Sequence, residues 1–160
     1  MIAVDTSAVI AILESEPEEA QFLHRIATDG AARLSSVSLL EAGLVARGRR
    51  GDPGVKQLLA LLTALKIVVV PFDEGQAGIA VDAFGRYGKG MGTAAKLNMG
   101  DCASYALAKT LNACLSPLIR DDPRKSRRNR KMAEYPASHR PSSQPIDFPD
   151  ASLSLPDQRG

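Results

Sequence analysis

Apolar and polar positions alternate along the first 120 residues in blocks that switch between two periods. Ile2-Ala3-Val4 is a short apolar run closed by Asp5, with Thr6 and Ser7 behind it as N-cap candidates. It predicts a buried strand followed at once by a helix over 8–13. Pro17 suits the first position of a second helix, where Glu18 and Glu19 complement the dipole. Phe22, Leu23 and Ile26 give that helix an apolar stripe, and Gly30 suits its C-terminal stop. Residues 33–37 predict a second strand. Ser38 and Glu41 have the S-x-x-E spacing of a capping box that opens a helix to about residue 50. The turn residues Gly51-Asp52-Pro53-Gly54 break it, and 55–65 is apolar enough for another helix. Lys66-Ile67-Val68-Val69-Val70-Pro71 is the strongest strand signal, β-branched and closed by proline. Ile79, Ala80, Ala83 and Phe84 give 73–86 helical spacing. Residues 88–100 predict a glycine-rich loop, 101–111 a last helix, and 114–119 a further strand.

Strands separated by helices of ten or more residues imply βαβ units. The expected fold is therefore α/β, a small parallel β-sheet flanked by α-helices. A length of 160 residues with 44% hydrophobic positions is sufficient for one core. No apolar run approaches the ~18 residues of a membrane span, so no membrane association is expected. The start of the chain lacks the basic segment of a secretory leader. Cys102 and Cys114 match neither metal nor redox spacings and are too few for a disulfide framework, which points to reducing cytoplasm.

Charge divides the chain. Residues 1–122 carry 12 basic and 14 acidic side chains, whereas 123–160 carry 8 and 4, with 6 of the 10 prolines. The expected organisation is a folded domain over 1–122 and a basic, Pro/Ser-rich disordered tail over 123–160. The run Arg124-Lys125-Ser126-Arg127-Arg128-Asn129-Arg130-Lys131 reads as part of a solvated, floppy tail before it reads as a contact to RNA phosphates, and a nuclear-localisation reading is weaker still.

In parallel sheets, sites form beyond the carboxyl ends of the strands. Four acids fall there: Asp5 at the end of the first strand, Glu41 in the first turn of the helix after the second, Asp101 at the opening of the last helix, and Asp121 after the final strand. Taken singly, Asp5 and Asp101 read equally as helix caps and Glu41 as the far half of a capping box. Taken together they form an acidic cluster that a hard divalent cation would neutralise, and such an ion activates water and steadies charge on a phosphoryl oxygen.

Three stretches carry a resemblance. Met1-Ile2-Ala3-Val4-Asp5-Thr6-Ser7-Ala8, Ser38-Leu39-Leu40-Glu41-Ala42 and residues 97–108, Leu-Asn-Met-Gly-Asp-Cys-Ala-Ser-Tyr-Ala-Leu-Ala, resemble in order and spacing the PIN-domain ribonucleases, specifically VapC-type toxins of toxin–antitoxin pairs. The resemblance spans residues 1–113. It implies a PIN-like fold and an endoribonuclease dependent on Mg²⁺ or Mn²⁺, with an RNA substrate, a VapB-type antitoxin partner and a homodimer. It also implies metal binding by Asp5 and Asp101, with Glu41 in the same acidic cluster and Thr6 or Ser7 supporting the first acid. After Ala113 the text departs from the family pattern. Asp121 falls on the family's fourth acid, but its neighbours do not match, and Pro117 would interrupt a strand. A reading frame shifted near codon 114 would produce such a change. A catalytically impaired PIN-like protein that binds its antitoxin without cleaving RNA is the alternative.

Other chemistries find less support. Gly90-Met91-Gly92-Thr93-Ala94-Ala95 matches G-x-G-x-x-A but follows a helix, which disfavours a dinucleotide site; with Lys89 and Lys96 it reads as a loop near RNA phosphates or a plain connector. His24 and His139 lack a partner at zinc spacing. A Ser-His-Asp hydrolase lacks its G-x-S-x-G elbow. A haloacid-dehalogenase-like phosphatase wants a second Asp where Ser7 stands. Leu58, Leu59, Leu61, Leu62 and Leu65 face either a second subunit or the core.

Overall fold

Strand β1 (Ile2–Val4) is buried along its whole length, and its side chains alternate between two packing layers. Ile2 and Val4 join the larger core, while Ala3 packs with Leu107 and Ala108 on the other face. The computed structural model describes residues 1–92 and 95–115. Within them β1 is followed by α1 (Thr6–Leu13), α2 (Glu19–Asp29), β2 (Ala32–Ser35), α3 (Ser36–Ala64), β3 (Val68–Val70), α4 (Glu74–Tyr87), α5 (Met99–Thr110) and β4 (Cys114–Leu115). The strands form one parallel sheet in the order β3-β2-β1-β4. The α/β architecture with a small parallel sheet is as expected from the sequence.

Helices α1, α2 and α3 cover one face of the sheet. Val9, Ile12, Phe22, Ile26, Leu58 and Leu62 pack there against Ile2, Val4 and Leu34. Helix α5 covers the other face, and α4 packs on α5 through Ala83 and Cys102, with Leu97 of the intervening segment in the same cluster. The leucine stripe of α3 is mainly core: Leu58 and Leu62 are buried and Leu61 and Leu65 pack beside them, whereas Leu59 is exposed.

Several boundaries differ from the sequence expectation. Helix α1 is capped by Asp5, whose carboxylate accepts from Ala8 N, and not by Thr6 or Ser7, which are its first helical residues. Helix α2 begins at Glu19, so Pro17 lies outside it. Helix α3 is capped by Ser35, whose hydroxyl accepts from Val37 N, and the expected Ser38–Glu41 box does not form. Ser38 is instead buried, and Glu41 sits a turn further along than expected. Gly51 does break α3: its φ of 63° and ψ of −150° kink the backbone, and the chain resumes helix with Pro53 in the turn that follows. Helix α5 begins at Met99, capped by Asn98, with Asp101 inside its first turn. The strand expected over 66–71 is limited to Val68–Val70 and lies at the sheet edge.

The base of the glycine-rich loop is closed by backbone bonds from Lys89 N to Leu97 O (3.0 Å) and from Leu97 N to Tyr87 O (2.9 Å). Two residues of the last expected strand, Cys114 and Leu115, pair in parallel with Ile2 and Ala3. Asp121, Pro117 and the basic tail 123–160 lie outside the described residues.

Candidate active site

The parallel sheet sends β1 and β2 to the same edge, and each strand feeds directly into a helix there. Asp5 closes β1 and caps α1; Glu41 projects from α3, which leaves the end of β2; Asp101 lies in the first turn of α5. All three line one open cleft of about 170 Å³ together with Thr6, Ser7, Ile10, Val45, Arg49, Asn98 and Gly100. The acids expected to converge from positions 5, 41 and 101 therefore do so.

Each acid is held by a local device. Asp5 Oδ1 accepts from Ala8 N at 2.8 Å, and Oδ2 accepts from the Ser7 hydroxyl at 2.9 Å. A carboxylate has about four acceptor sites, so such bonds orient the group and are compatible with a metal contact on the same group. Thr6 Oγ1 donates to Glu41 Oε2 at 2.7 Å. Thr6 thus supports Glu41, and it is Ser7 that supports the first acid. Asn98 and Asp101 form the capping box of α5: Asp101 N donates to Asn98 Oδ1 at 2.8 Å, and Asn98 N donates to Asp101 Oδ2 at 2.9 Å. Asp5 and Asp101 lie at helix N-termini, where the aligned peptide dipoles favour negative charge. That field opposes the mutual repulsion of the cluster.

Gly100 makes room at the start of α5 for the Glu41 carboxylate. A Cβ at this position would collide with Glu41 Oε2 and come within 3.1 Å of its Cδ. Behind it, the buried hydroxyls of Ser38 and Ser104 meet at 3.0 Å and tie the same two helices together.

The donor set is oxygen only, carboxylates with two hydroxyls, which suits a hard divalent cation. Among the described residues no group of three His, Cys, Asp or Glu side chains is closed around a common metal position. Mg²⁺ asks for less, since it binds through one or two carboxylates and keeps several waters. Asp5 and Asp101, which line the same cleft, are ligands of that type.

Arg49, Asn98 and Gly100 were not singled out as site residues from the sequence. The signal for Arg49 lies in its spacing: Glu41, Val45 and Arg49 follow at intervals of four, one stripe of α3.

The PIN domain profile matches residues 2–131, a span that includes Asp121. The VapC ribonuclease Mb0625 of Mycobacterium bovis is 44% identical over 106 residues, covering 66% of this chain and 79% of that protein. Ribonuclease VapC28 of Mycobacterium tuberculosis matches to the same extent. Ribonuclease VapC of Mycolicibacterium smegmatis is 42% identical over 108 residues, 68% of this chain and 83% of that protein. With its parallel sheet, its three acids at one edge and these relatives, the chain belongs to the PIN-domain family, in its VapC ribonuclease group.

Proposed function

We propose that this protein is the toxin of a VapBC-type pair, an endoribonuclease that hydrolyses RNA phosphodiesters and is restrained by a cognate VapB-type antitoxin. The observation that carries the reading is the convergence of Asp5, Glu41 and Asp101 on one cleft, in a chain 44% identical to proteins named as ribonucleases. Metal dependence fits the oxygen-only donor set. We assign Mg²⁺, with Mn²⁺ as a substitute, to Asp5 and Asp101, and Asp121 to a fourth acidic position. Such an ion, when bound, lowers the pKa of a water and offsets charge on a phosphoryl oxygen.

The chain's own residues supply position. Ser7 and Ala8 N fix the Asp5 carboxylate, Asn98 fixes Asp101, and Thr6 holds Glu41 with its oxygens toward the cleft. Ile10 and Val45 contribute the apolar part of the cleft lining. Attack by water on phosphorus with departure of the 3′ oxygen puts the new oxygen on the phosphate and a proton on the leaving oxygen, so the products carry a 5′-phosphate and a 3′-hydroxyl.

The test is cleavage of a single-stranded RNA by purified protein across a Mg²⁺ titration, with EDTA as control. Cleavage that rises with metal and vanishes with EDTA supports the reading. Antitoxin binding with no metal-dependent cleavage would mark the protein as the impaired form that the departure after Ala113 suggests.

No helix among the described residues is long and apolar enough to cross a membrane. We place the protein in the cytoplasm as a homodimer, on the strength of the family resemblance.

A further inference from the structure

We infer that Arg49 is the phosphate-binding residue of the cleft, holding the RNA phosphate next to the one that is cut, and that Glu14 occupies its guanidinium until RNA arrives. The inference rests on the ribonuclease reading and adds a residue and a role to it. Arg49 is the one cationic side chain among the described residues that line the cleft. It lies eight residues beyond Glu41 on the same stripe of α3, about 12 Å along the helix at 1.5 Å per residue. That offset sets its Cα away from Glu41 along the helix, while its side chain still lines the shared cleft. A strand that sets one phosphate on the acids brings a neighbouring phosphate toward a cation at that offset.

The resting partner is poorly matched. Arg49 Nη1 lies 3.8 Å from Glu14 Oε1, beyond hydrogen-bond reach. That oxygen is buried without a hydrogen-bond partner, whereas Oε2 of the same carboxylate accepts from Arg50 at 2.8 Å. The Arg49 side chain is 53% exposed. Glu14 therefore keeps Arg50 as its firm partner and holds Arg49 only by charge. A phosphate offers Arg49 two oxygens at hydrogen-bond distance, a stronger match for the planar fork of a guanidinium.

The experiment measures binding and cleavage separately. Binding of a fluorescent single-stranded RNA is followed by anisotropy across a salt series, with Ca²⁺ in place of Mg²⁺ so that the strand survives. Cleavage is followed in Mg²⁺. Arg49→Gln is expected to weaken binding by about tenfold, the worth of one charge-assisted contact. The slope of log K against log salt should fall by about 0.7, one single-strand phosphate. KM should rise with kcat within about twofold, the pattern of lost uniform binding. Arg49→Lys should restore the slope, and Glu14→Gln should tighten binding. Arg50→Gln, which also breaks a Glu14 pair but does not line the cleft, should leave the slope unchanged. Thermal melts confirm that each variant is folded. An unchanged slope and KM in folded Arg49→Gln, beside a wild type that cleaves, overturns the inference and leaves the ribonuclease reading standing. A wild type that neither binds nor cleaves RNA overturns both.

Discussion

The hydroxyls of Ser38 and Ser104 meet at 3.0 Å in the interior, 66 residues apart in sequence. Ser38 lies three residues before Glu41, and Ser104 three residues after Asp101. The bridge therefore fixes the separation of α3 and α5 just beneath the two acids. Ser104→Ala strands the buried Ser38 hydroxyl and should destabilise the fold by about 1–3 kcal/mol. The double Ser38→Ala, Ser104→Ala should cost less than the sum of the two single changes, because neither hydroxyl is then left alone. Urea unfolding of the four proteins measures this directly.

Gly100 tests the approach of α5 to Glu41. Alanine usually improves a helix over glycine, yet here its Cβ meets Glu41 Oε2. Glu41 must move, and a displacement near 1 Å costs about 100-fold in rate. Gly100→Ala should lose that much cleavage while its melting temperature changes little. Full activity in Gly100→Ala would show that the position of Glu41 does not matter.

Thr6 separates orientation from shape. Thr6→Val keeps the volume and removes the 2.7 Å bond to Glu41. Cleavage should drop by about tenfold, the worth of one hydrogen bond to a charged group, and Thr6→Ser should recover most of it. Steady-state kinetics on the three proteins decides the point.

Cys102 is 3% exposed, and burial pushes its thiol above the ordinary value of 9.0. The unfolded chain releases this proton near 9.0, and the folded chain holds it to higher pH. The contribution to stability is complete below 9.0 and is lost as pH rises through the folded value, at up to about 1.4 kcal/mol per pH unit. Melting temperatures between pH 8 and 11 should fall more steeply for wild type than for Cys102→Ala. Parallel curves would mean that the thiol ionises alike in both states.

The sequence was most readable where local chemistry and tertiary fold agree. The apolar Ile2-Ala3-Val4 run forms β1, Gly30 ends α2 with a φ of 68°, and the helical spacing over 73–86 becomes α4 (Glu74–Tyr87). Convergence of positions 5, 41 and 101 followed from parallel-sheet topology and the family resemblance together. The helix start at Ser35 was not readable, because Ser35, Ser36 and Ser38 are all competent caps, and S-x-x-E spacing favoured the last. Long-range pairing decides it: β2 aligns Ser35 with Val70, so the strand ends there and the helix begins at the next residue. The Ser38 hydroxyl is then taken by Ser104, a residue no local pattern connects to it. The packing role of Gly100 was hidden for the same reason, since its neighbour Glu41 is 59 positions away. The Asn98–Asp101 box has capping spacing too, but Asp101 after Gly100 is equally competent as the opening residue, and spacing alone does not show it as the reciprocal partner inside the first turn.

The central claim is that Asp5, Glu41 and Asp101 act as one site. Single-turnover RNA cleavage by Asp5→Asn, Glu41→Gln and the double variant tests it most directly, with Asp101→Asn as a further single change. Groups that work as a unit are strongly non-additive. Each single variant should therefore lose most of the activity, and the double should be about as slow as the slower single. Folded single variants that cleave at the wild-type rate, or a double whose loss is the product of two modest losses, would contradict it.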